Sequence, residues 1–388
     1  MFYQLSPVGN PIHLSRADQP EVLLQAFGQG YQPHYYASGT TALAAAIVAA
    51  IRLKPVDKPE VLLPAYGCPD LISAAVFAGA KPVLVDLEAD RPWMDIEQLA
   101  EKTNTNTVAI IAVNLFGISE RLAELRPFAE RVGALLIEDS AQAFPSGKEK
   151  DIWQGDVVVL SFGRGKPVSL LGGGAVLCDM EHSRHNELAG LLPEGVTQDA
   201  GNIQKQILFR IKAGLYNGMI NPRLYWLPQA LPFLHLGETR YYPLPSLEGM
   251  DRVKLSMLSS NVKAYQSDLM SAQNKLAVIL DGQDLEGRGI VDLPKACKIT
   301  ADRRLLRYPL LIEPEIRDQL HAKLLKLGLG PSRMYLKALP EISGLETLLS
   351  GQGLFPVAAS FADRMLTLPT HSHVSQADIE KMCQVISN

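Results

Sequence analysis

From Thr40 to about Cys178 the chain alternates short apolar runs with segments of helical spacing. The apolar runs are EVLL, KPVLVD, TVAIIAV, ALLIED, DVVVLSF and GAVLCD, and helical patterns fill 40–52, 68–79 and 119–132 between them. Runs that are apolar throughout predict strands covered on both faces. Their alternation with helices predicts βαβ units and a mostly parallel central sheet, an α/β fold.

Past Cys178 the strand signal fades. Residues 180–245 read as helix followed by YNGMINPRLYWLPQALPFLHLGETRYYPLP, an aromatic and proline-studded stretch expected to form an insertion or lid over about 205–245. Pro222, Pro228 and Pro232 exclude one long helix there. Residues 251–282 read as one long helix. They are followed by a strand (LRYPLLI), a helix (PEIRDQLHAKLLKLG), a short strand near Met365–Leu368 and a closing helix, which Ser375 and Asp378 open as a capping box. The pattern divides into a large α/β domain, 1–250, and a smaller C-terminal α+β domain, 251–388, without internal repeats.

Composition narrows the picture. A chain of 388 residues can bury a large interior, and 47% hydrophobic with 20% charged residues is an ordinary globular balance. The formal charge of −4, with no long basic block, argues against nucleic acid as a partner. Cys68, Cys178, Cys297 and Cys383 lack any zinc-ligand spacing. They predict free thiols in a reducing compartment, no metal site and a cytoplasmic location. The start, MFYQLSPVGNP, is no secretory signal, and no apolar run reaches the ~18 residues of a membrane span.

In open parallel sheets ligands collect beyond the carboxyl ends of the strands, and four places there carry chemistry. Ser38-Gly39-Thr40-Thr41 leads into the Ala-rich helix ALAAAIVAAI, where small residues leave backbone N–H groups open for a phosphate; a plain N-cap is the bland alternative. Glu138-Asp139-Ser140-Ala141-Gln142 follows ALLI and presents adjacent carboxylates suited to a cation, with a helix-capping or metal-binding acid as the alternative. SFGRGKPVSLLGGGAV ends a strand at Ser161 and offers Lys166, in a Gly-flanked turn, as a Schiff-base amine or as an ordinary exposed lysine. Tyr66 and Cys68 in LLPAYGCPD lie past another strand, where a flat side chain can cover a ring or simply fill the core. No GxGxxG dinucleotide signature follows the first strand.

The order and spacing of SGTTAL, EDSAQ, SFGRGK and GGG, with the closing FPVAASFADRMLTLPTHSHVSQADIEKM, resemble the DegT/DnrJ/EryC1/StrS family of pyridoxal-phosphate (PLP) dependent aminotransferases. The resemblance runs from about Tyr35 to Asp179 and resumes near the C-terminus. It implies the aspartate aminotransferase fold, type I, with pyridoxal 5′-phosphate as cofactor. Carried over, it gives Lys166 the Schiff-base link, Asp139 the ring nitrogen and Gln142 the side of the ring hydroxyl, while Ser161, Gly39, Thr40 and Thr41 receive the phosphate.

The chain also departs from the family pattern. The family's stacking aromatic falls at Cys68 rather than Tyr66, and Asp251 stands where an Asn often reaches the partner subunit's phosphate. The stretch from Lys166 to Asp251 is longer than usual.

The implied activity is transfer of an amino group from an amino acid, with glutamate first choice, to a keto acceptor such as a nucleotide-linked keto sugar, in a homodimer. The alternatives are a PLP-binding scaffold or regulator without turnover, and a PLP enzyme of lyase-like chemistry. In the insertion, Tyr216, Leu224, Tyr225, Trp226, Leu227, Leu231, Phe233 and Leu236 are expected to pack on the large domain or a dimer partner. An exposed lid or docking face is the alternative, with Arg210, Lys212, Arg223 and Arg240 adding attraction for anionic lipid or nucleotide phosphates.

Overall fold

A computed structural model of the chain describes residues 3–15, 30–146, 153–182, 184–195, 203–229, 239–268 and 270–387. Its first part runs β1 (Tyr31–Tyr36), α1 (Gly39–Leu53), β2 (Glu60–Pro64), α2 (Asp70–Phe77), β3 (Lys81–Val85), α3 (Ile96–Lys102), β4 (Thr107–Val113), α4 (Leu122–Val132), β5 (Leu135–Asp139), β6 (Val157–Ser161) and β7 (Gly174–Asp179). These strands form one sheet in the order β1-β7-β6-β5-β4-β2-β3. β3, β2, β4, β5 and β6 are parallel, whereas β7 runs antiparallel to both of its neighbours, β6 and the edge strand β1. Every apolar run of the sequence becomes a strand. β1, YQPHYY, escapes the hydrophobic pattern because an edge strand needs little apolar character.

The chain goes from β2 to β3 on one side and then places β4 on β2's other side, so the connections diverge there. A crevice opens at such a point, at the carboxyl ends of the strands. α1 lies against β6 and β7 and is buried from Thr41 through Ile47, again at Ala49 and Ala50. Its alanines permit that approach. The approach is closest at its start, where a Cβ on Gly174 would sit 2.4 Å from the Ser38 carbonyl oxygen.

The second part comprises α5 (His185–Leu191), α6 (Ile203–Met219), α7 (Arg252–Ser267), α8 (Ser271–Asp281), β8 (Ile290–Asp292), β9 (Tyr308–Ile312), α9 (Pro314–Lys326), α10 (Pro356–Arg364), β10 (Met365–Leu368) and α11 (Gln376–Ser387). β10, β9 and β8 form a three-stranded antiparallel sheet. The helix expected over 251–282 is two helices. Asp268 leaves helical geometry, its Oδ1 accepts the Met270 N–H and its Oδ2 pairs with Arg304 Nη2 at 2.7 Å, and Met270 is left-handed at φ 52° before α8 restarts. The capping box is present: Ser375 Oγ accepts the Asp378 N–H at 3.2 Å and Asp378 Oδ2 accepts the Ser375 N–H at 3.0 Å.

One hydrophobic cluster runs without a break from α1, β2 and β4 to β8–β10 and α11, so the two sheets share an interior. A second joins β6 and β7 to α6 and α7 through Phe209, Ala213, Tyr216, Ile220, Val253 and Met257. α6 ends ahead of Pro222, as the prolines dictate. Pro232, Leu231, Phe233 and Leu236 lie outside the described residues. Among the described residues no helix is long and apolar enough to cross a membrane.

Candidate cofactor site

Strand pleating separates the two neighbouring carboxylates at the end of β5. Glu138 points into the protein, where its Oε2 accepts the N–H groups of Gln154 and Gly155 at 2.7 and 2.9 Å and its Oε1 accepts Asn114 Nδ2 at 2.8 Å. Burial pushes its carboxyl above the usual range, and those donors pull it partly back. It is a structural acid.

Asp139 points the other way. Its Oδ1 accepts the Ala141 N–H at 2.9 Å. Burial is the largest influence on it and raises its pKa, Ala141 and the ammonium of Lys166 oppose that rise, and the Asp70 carboxylate adds to it. The attraction between Asp139 and Lys166 shows that the fold brings together the two residues singled out in separate motifs.

Lys166 sits in the turn after β6, its N–H bonded to the Gly163 carbonyl at 3.3 Å. The turn is possible because Gly165 is left-handed at φ 69°, and Gly172 and Gly173 take φ values of 139° and 100° while the chain doubles back into β7. Phe162 N–H then bonds to Gly173 O at 2.8 Å and Gly173 N–H to Ala37 O at 2.7 Å, which locks this turn onto the start of α1.

The start of α1 is the third component. Ser38 caps it, with Oγ accepting the Thr41 N–H at 3.1 Å and lying 2.9 Å from Thr41 Oγ1. Gly39 packs on Ser161: a Cβ there would come within 2.6 Å of Ser161 Cβ and 2.8 Å of its Oγ. The first-turn amides of Gly39 and Thr40 have no helical carbonyl to bond, and the Ser161 hydroxyl stands beside them. Thr40 Oγ1 donates to Asp70 Oδ2 at 2.8 Å, which ties α1 to the start of α2.

The last wall comes from the segment ahead of α2 and from Tyr335. The Cys68 thiol is bonded to the Tyr335 side chain; burial and the Asp70 carboxylate push its pKa up to about 12, while Lys166 draws it down. Gln142 accepts the Phe116 N–H on Oε1 at 3.0 Å and donates from Nε2 to the Tyr335 hydroxyl at 3.1 Å. Tyr66 is elsewhere. It is buried edge-on against Tyr335 and Phe361, with ring centroids 5.9 and 5.0 Å away, and its hydroxyl donates to the Tyr335 carbonyl at 3.1 Å. Of the two side chains proposed to cover a ring, Cys68 lies beside Lys166 and Tyr66 lies in the interior between the sheets.

Several participants were not legible in the sequence. Asn114 positions Glu138 and Ser140. Tyr335 lies outside the motifs. Arg307 carries a buried Nε and Nη1 without a hydrogen-bond partner among the described residues, and burial lowers its pKa to about 10, opposed by the phenols of Tyr335, Tyr225 and Tyr66. Asp251 is committed locally: it N-caps α7, its Oδ1 accepting the Val253 N–H at 2.7 Å.

PLP fits this constellation by its chemistry. A monoanionic or dianionic phosphate matches a helix N-terminus flanked by a hydroxyl, its aldehyde needs one amine, and its ring nitrogen needs one carboxylate. A Cβ at position 39 would collide with Ser161, so the glycine lets the helix start lie directly against that hydroxyl.

This architecture, a seven-stranded mostly parallel sheet whose carboxyl edge gathers Lys166, Asp139 and a helix N-terminus, defines an α/β transferase fold of type I. Residues 32–208, a little under half of the chain, match the model of the DegT/DnrJ/EryC1/StrS aminotransferase family. A GDP-perosamine synthase of Vibrio cholerae is 30% identical over 113 residues, a stretch that spans 28% of this chain and 30% of that protein. Solved structures extend the likeness over nearly the whole chain. A DegT/DnrJ/EryC1/StrS aminotransferase from Brucella abortus superposes with a TM-score of 0.66 at 22% identity, covering 96% of this chain and 90% of that one. The PLP form of a sugar aminotransferase, described as putative, from Streptococcus pneumoniae gives 0.67 at 20% identity over 97% and 92%. The family resemblance and the fold class read from the sequence are thereby borne out.

Proposed function

We propose that the protein is a PLP-dependent aminotransferase that moves an amino group from an amino acid, glutamate first, to a keto acceptor of the nucleotide-linked sugar class. The observation that carries this reading is the convergence of Lys166 and Asp139 beside the Gly39–Ser161 cradle, three separate sequence motifs meeting at one sheet edge. The family match and the PLP-form structural neighbour support it over a scaffold without turnover.

When bound, PLP supplies an electron sink for the carbanion character that develops at the donor's α-carbon. The protein's part is to hold and to move protons. The Gly39 and Thr40 amides and the Ser161 hydroxyl would hold the phosphate, and Asp139 would hold the ring nitrogen and keep its proton. Lys166 Nζ would hold the aldehyde end and, as a free amine, would serve as the base and acid that moves a proton between neighbouring carbons. Cys68 and the Tyr335 hydroxyl, joined to each other, would wall this site.

We propose that the acceptor binds in a cavity of about 540 Å³ lined by Arg240, Tyr241, Tyr242, Leu336, Lys337 and Glu341, a set with cations and flat rings suited to a phosphorylated, ring-bearing molecule. We further propose a homodimer acting in the cytoplasm, as the family resemblance and the unpaired cysteines suggest.

The experiment is a half-reaction screen. Purified protein loaded with PLP is mixed with single amino acids and the loss of the Schiff-base absorption is followed, after which keto sugars linked to nucleotides are added to the aminated enzyme. Glutamate is expected to discharge the absorption, and a keto sugar to restore it. Absence of discharge by any donor overturns the aminotransferase reading.

A further inference from the structure

α6 has two apolar faces. One, Phe209, Ala213, Tyr216 and Ile220, is buried against β6, β7 and α7. The other consists of every fourth residue along the helix, Ile203, Ile207, Ile211, Leu215 and Met219, with Leu208 alongside. At roughly 100° per residue these side chains cover an arc centred almost opposite the buried one. They stand in solvent, with Ile203 69%, Ile207 54%, Ile211 54% and Leu215 62% exposed, and Leu224 and Leu227 extend the face past the helix end.

The charges follow the same geometry. Residues 203–229 contain Lys205, Arg210, Lys212 and Arg223 and no acidic residue, in a chain whose formal charge is −4. On the helix wheel Lys205 and Lys212 fall at one border of the exposed apolar arc and Arg210 at the other. Burial lowers the pKa of Lys254 on the neighbouring α7, Asp251 opposes that, and Lys212 adds a smaller lowering.

We infer that the exposed face of α6 lies on the surface of an anionic membrane, with its aliphatic side chains among the acyl chains and the flanking Lys and Arg side chains at the lipid phosphates. Helices with a broad aliphatic arc bordered by cations bind in the interfacial plane in this way, and the long basic side chains reach outward while their stems stay apolar. A 17-residue helix gives a contact about 25 Å long. A second copy of the chain is a poorer occupant. Pairing this face with itself would bring Arg210 and Lys212 of one copy against those of the other with no acidic residue in 203–229, and like charges across a self-complementary interface are costly. The opposite face of the helix belongs to the fold, so binding needs no unfolding. The assignment does not depend on the reaction catalysed at Lys166.

The test uses the full-length, PLP-loaded protein and floating vesicles. Wild type is expected to float with phosphatidylcholine vesicles that contain phosphatidylglycerol, to stay behind with phosphatidylcholine alone, and to lose binding as salt rises. The double variant Ile207→Gln/Leu215→Gln removes two exposed aliphatic chains and should weaken partitioning by on the order of 10²-fold while the melting curve and the amino-donor half-reaction stay unchanged. Lys212→Gln/Arg223→Gln should flatten the salt dependence. The inference is overturned if wild type ignores phosphatidylglycerol vesicles, or if the apolar variant binds them like wild type. It is equally overturned if sedimentation shows that the apolar variant changes only the oligomeric state, which would make this face an interface between copies. Should the apolar variant fail to fold, the wild-type lipid and salt titrations alone decide it.

Discussion

Asp139, Gln142, Cys68 and Tyr335, at the carboxyl edge of the large sheet, are held by one another and by backbone donors. On the outer face of α6, six large apolar side chains stand 42% to 69% exposed. The first region is organised inward, its carboxylate, amide, thiol and phenol tied to one another or to backbone donors around Lys166. The second is organised outward, and its sequence is that of a surface looking for an apolar medium. The contrast separates chemistry from placement. Changes at the sheet edge should alter turnover or cofactor binding and leave membrane partitioning alone, whereas changes on the outer face of α6 should do the reverse.

The largest expected effect is that of Lys166→Ala. Removing the amine should abolish the Schiff-base absorption and slow the donor half-reaction by on the order of 10⁴-fold or more, with a normal melting curve. An unaltered spectrum, or borohydride trapping on another lysine, would dissociate the chemistry from this turn.

Next comes the pair at the end of β5. Asp139→Asn should keep the Schiff base but slow the half-reaction by about 10²-fold or more, since the ring nitrogen loses its anionic partner. Glu138→Gln replaces an acceptor of three donors. It should cost about 1–3 kcal/mol of stability while leaving the rate of the folded, loaded fraction near wild type. Stopped-flow rates and denaturant midpoints of the two variants read the difference directly. If Glu138→Gln were the slow one, the roles drawn from the pleat would have to be exchanged.

The contrast also governs what could be read in the sequence. The strands declared themselves because burial on both faces makes them apolar without interruption, and the cradle did so because close backbone approach forces Gly39, Gly172, Gly173 and Gly174 to be glycine. Ser161 could be paired with Gly39 by family resemblance, and the structure supplies the reason in a 2.6 Å clearance. The choice between Glu138 and Asp139 was open, because it depends on which face of a strand meets which layer. Tyr335, Asn114 and Arg307 were not visible at all. They reach the site through contacts far apart in sequence, and a single Tyr, Asn or Arg outside a motif carries no local signal. The break at Asp268–Met270 escaped for a related reason: both sides are helical by pattern, and the interruption is set by a tertiary ion pair to Arg304.

A middle-sized effect tests that clearance. Gly39→Ala forces its methyl into Ser161 and should weaken PLP binding about tenfold or more, as overpacking of a tight contact does. Adding Ser161→Gly removes the opposing Cβ and should recover the thermal stability lost by the apo single variant, while PLP affinity stays low because the hydroxyl beside the phosphate is gone. Melting curves and equilibrium PLP binding of the apo single and double variants measure the two effects. No recovery of stability would mean that the alanine acts on the helix start itself.

The smallest effect lies where the two regions touch. Tyr216 belongs to the buried face of α6, and its hydroxyl is bonded to the Gly165 backbone, next to Lys166 in the same turn. Burial raises its pKa, so it stays a neutral phenol, and this contact conveys the helix's influence. Tyr216→Phe keeps the ring and deletes the hydroxyl, which should slow the donor half-reaction by about threefold to tenfold, the value of one neutral hydrogen bond. Vesicle binding should not change, because the ring still packs and the outer face is untouched. A single-turnover rate equal to wild type would leave α6 as a support for the membrane face only. A loss of partitioning in Tyr216→Phe would show instead that the two faces of this helix are coupled, with the Lys166 turn setting how the outer face is presented.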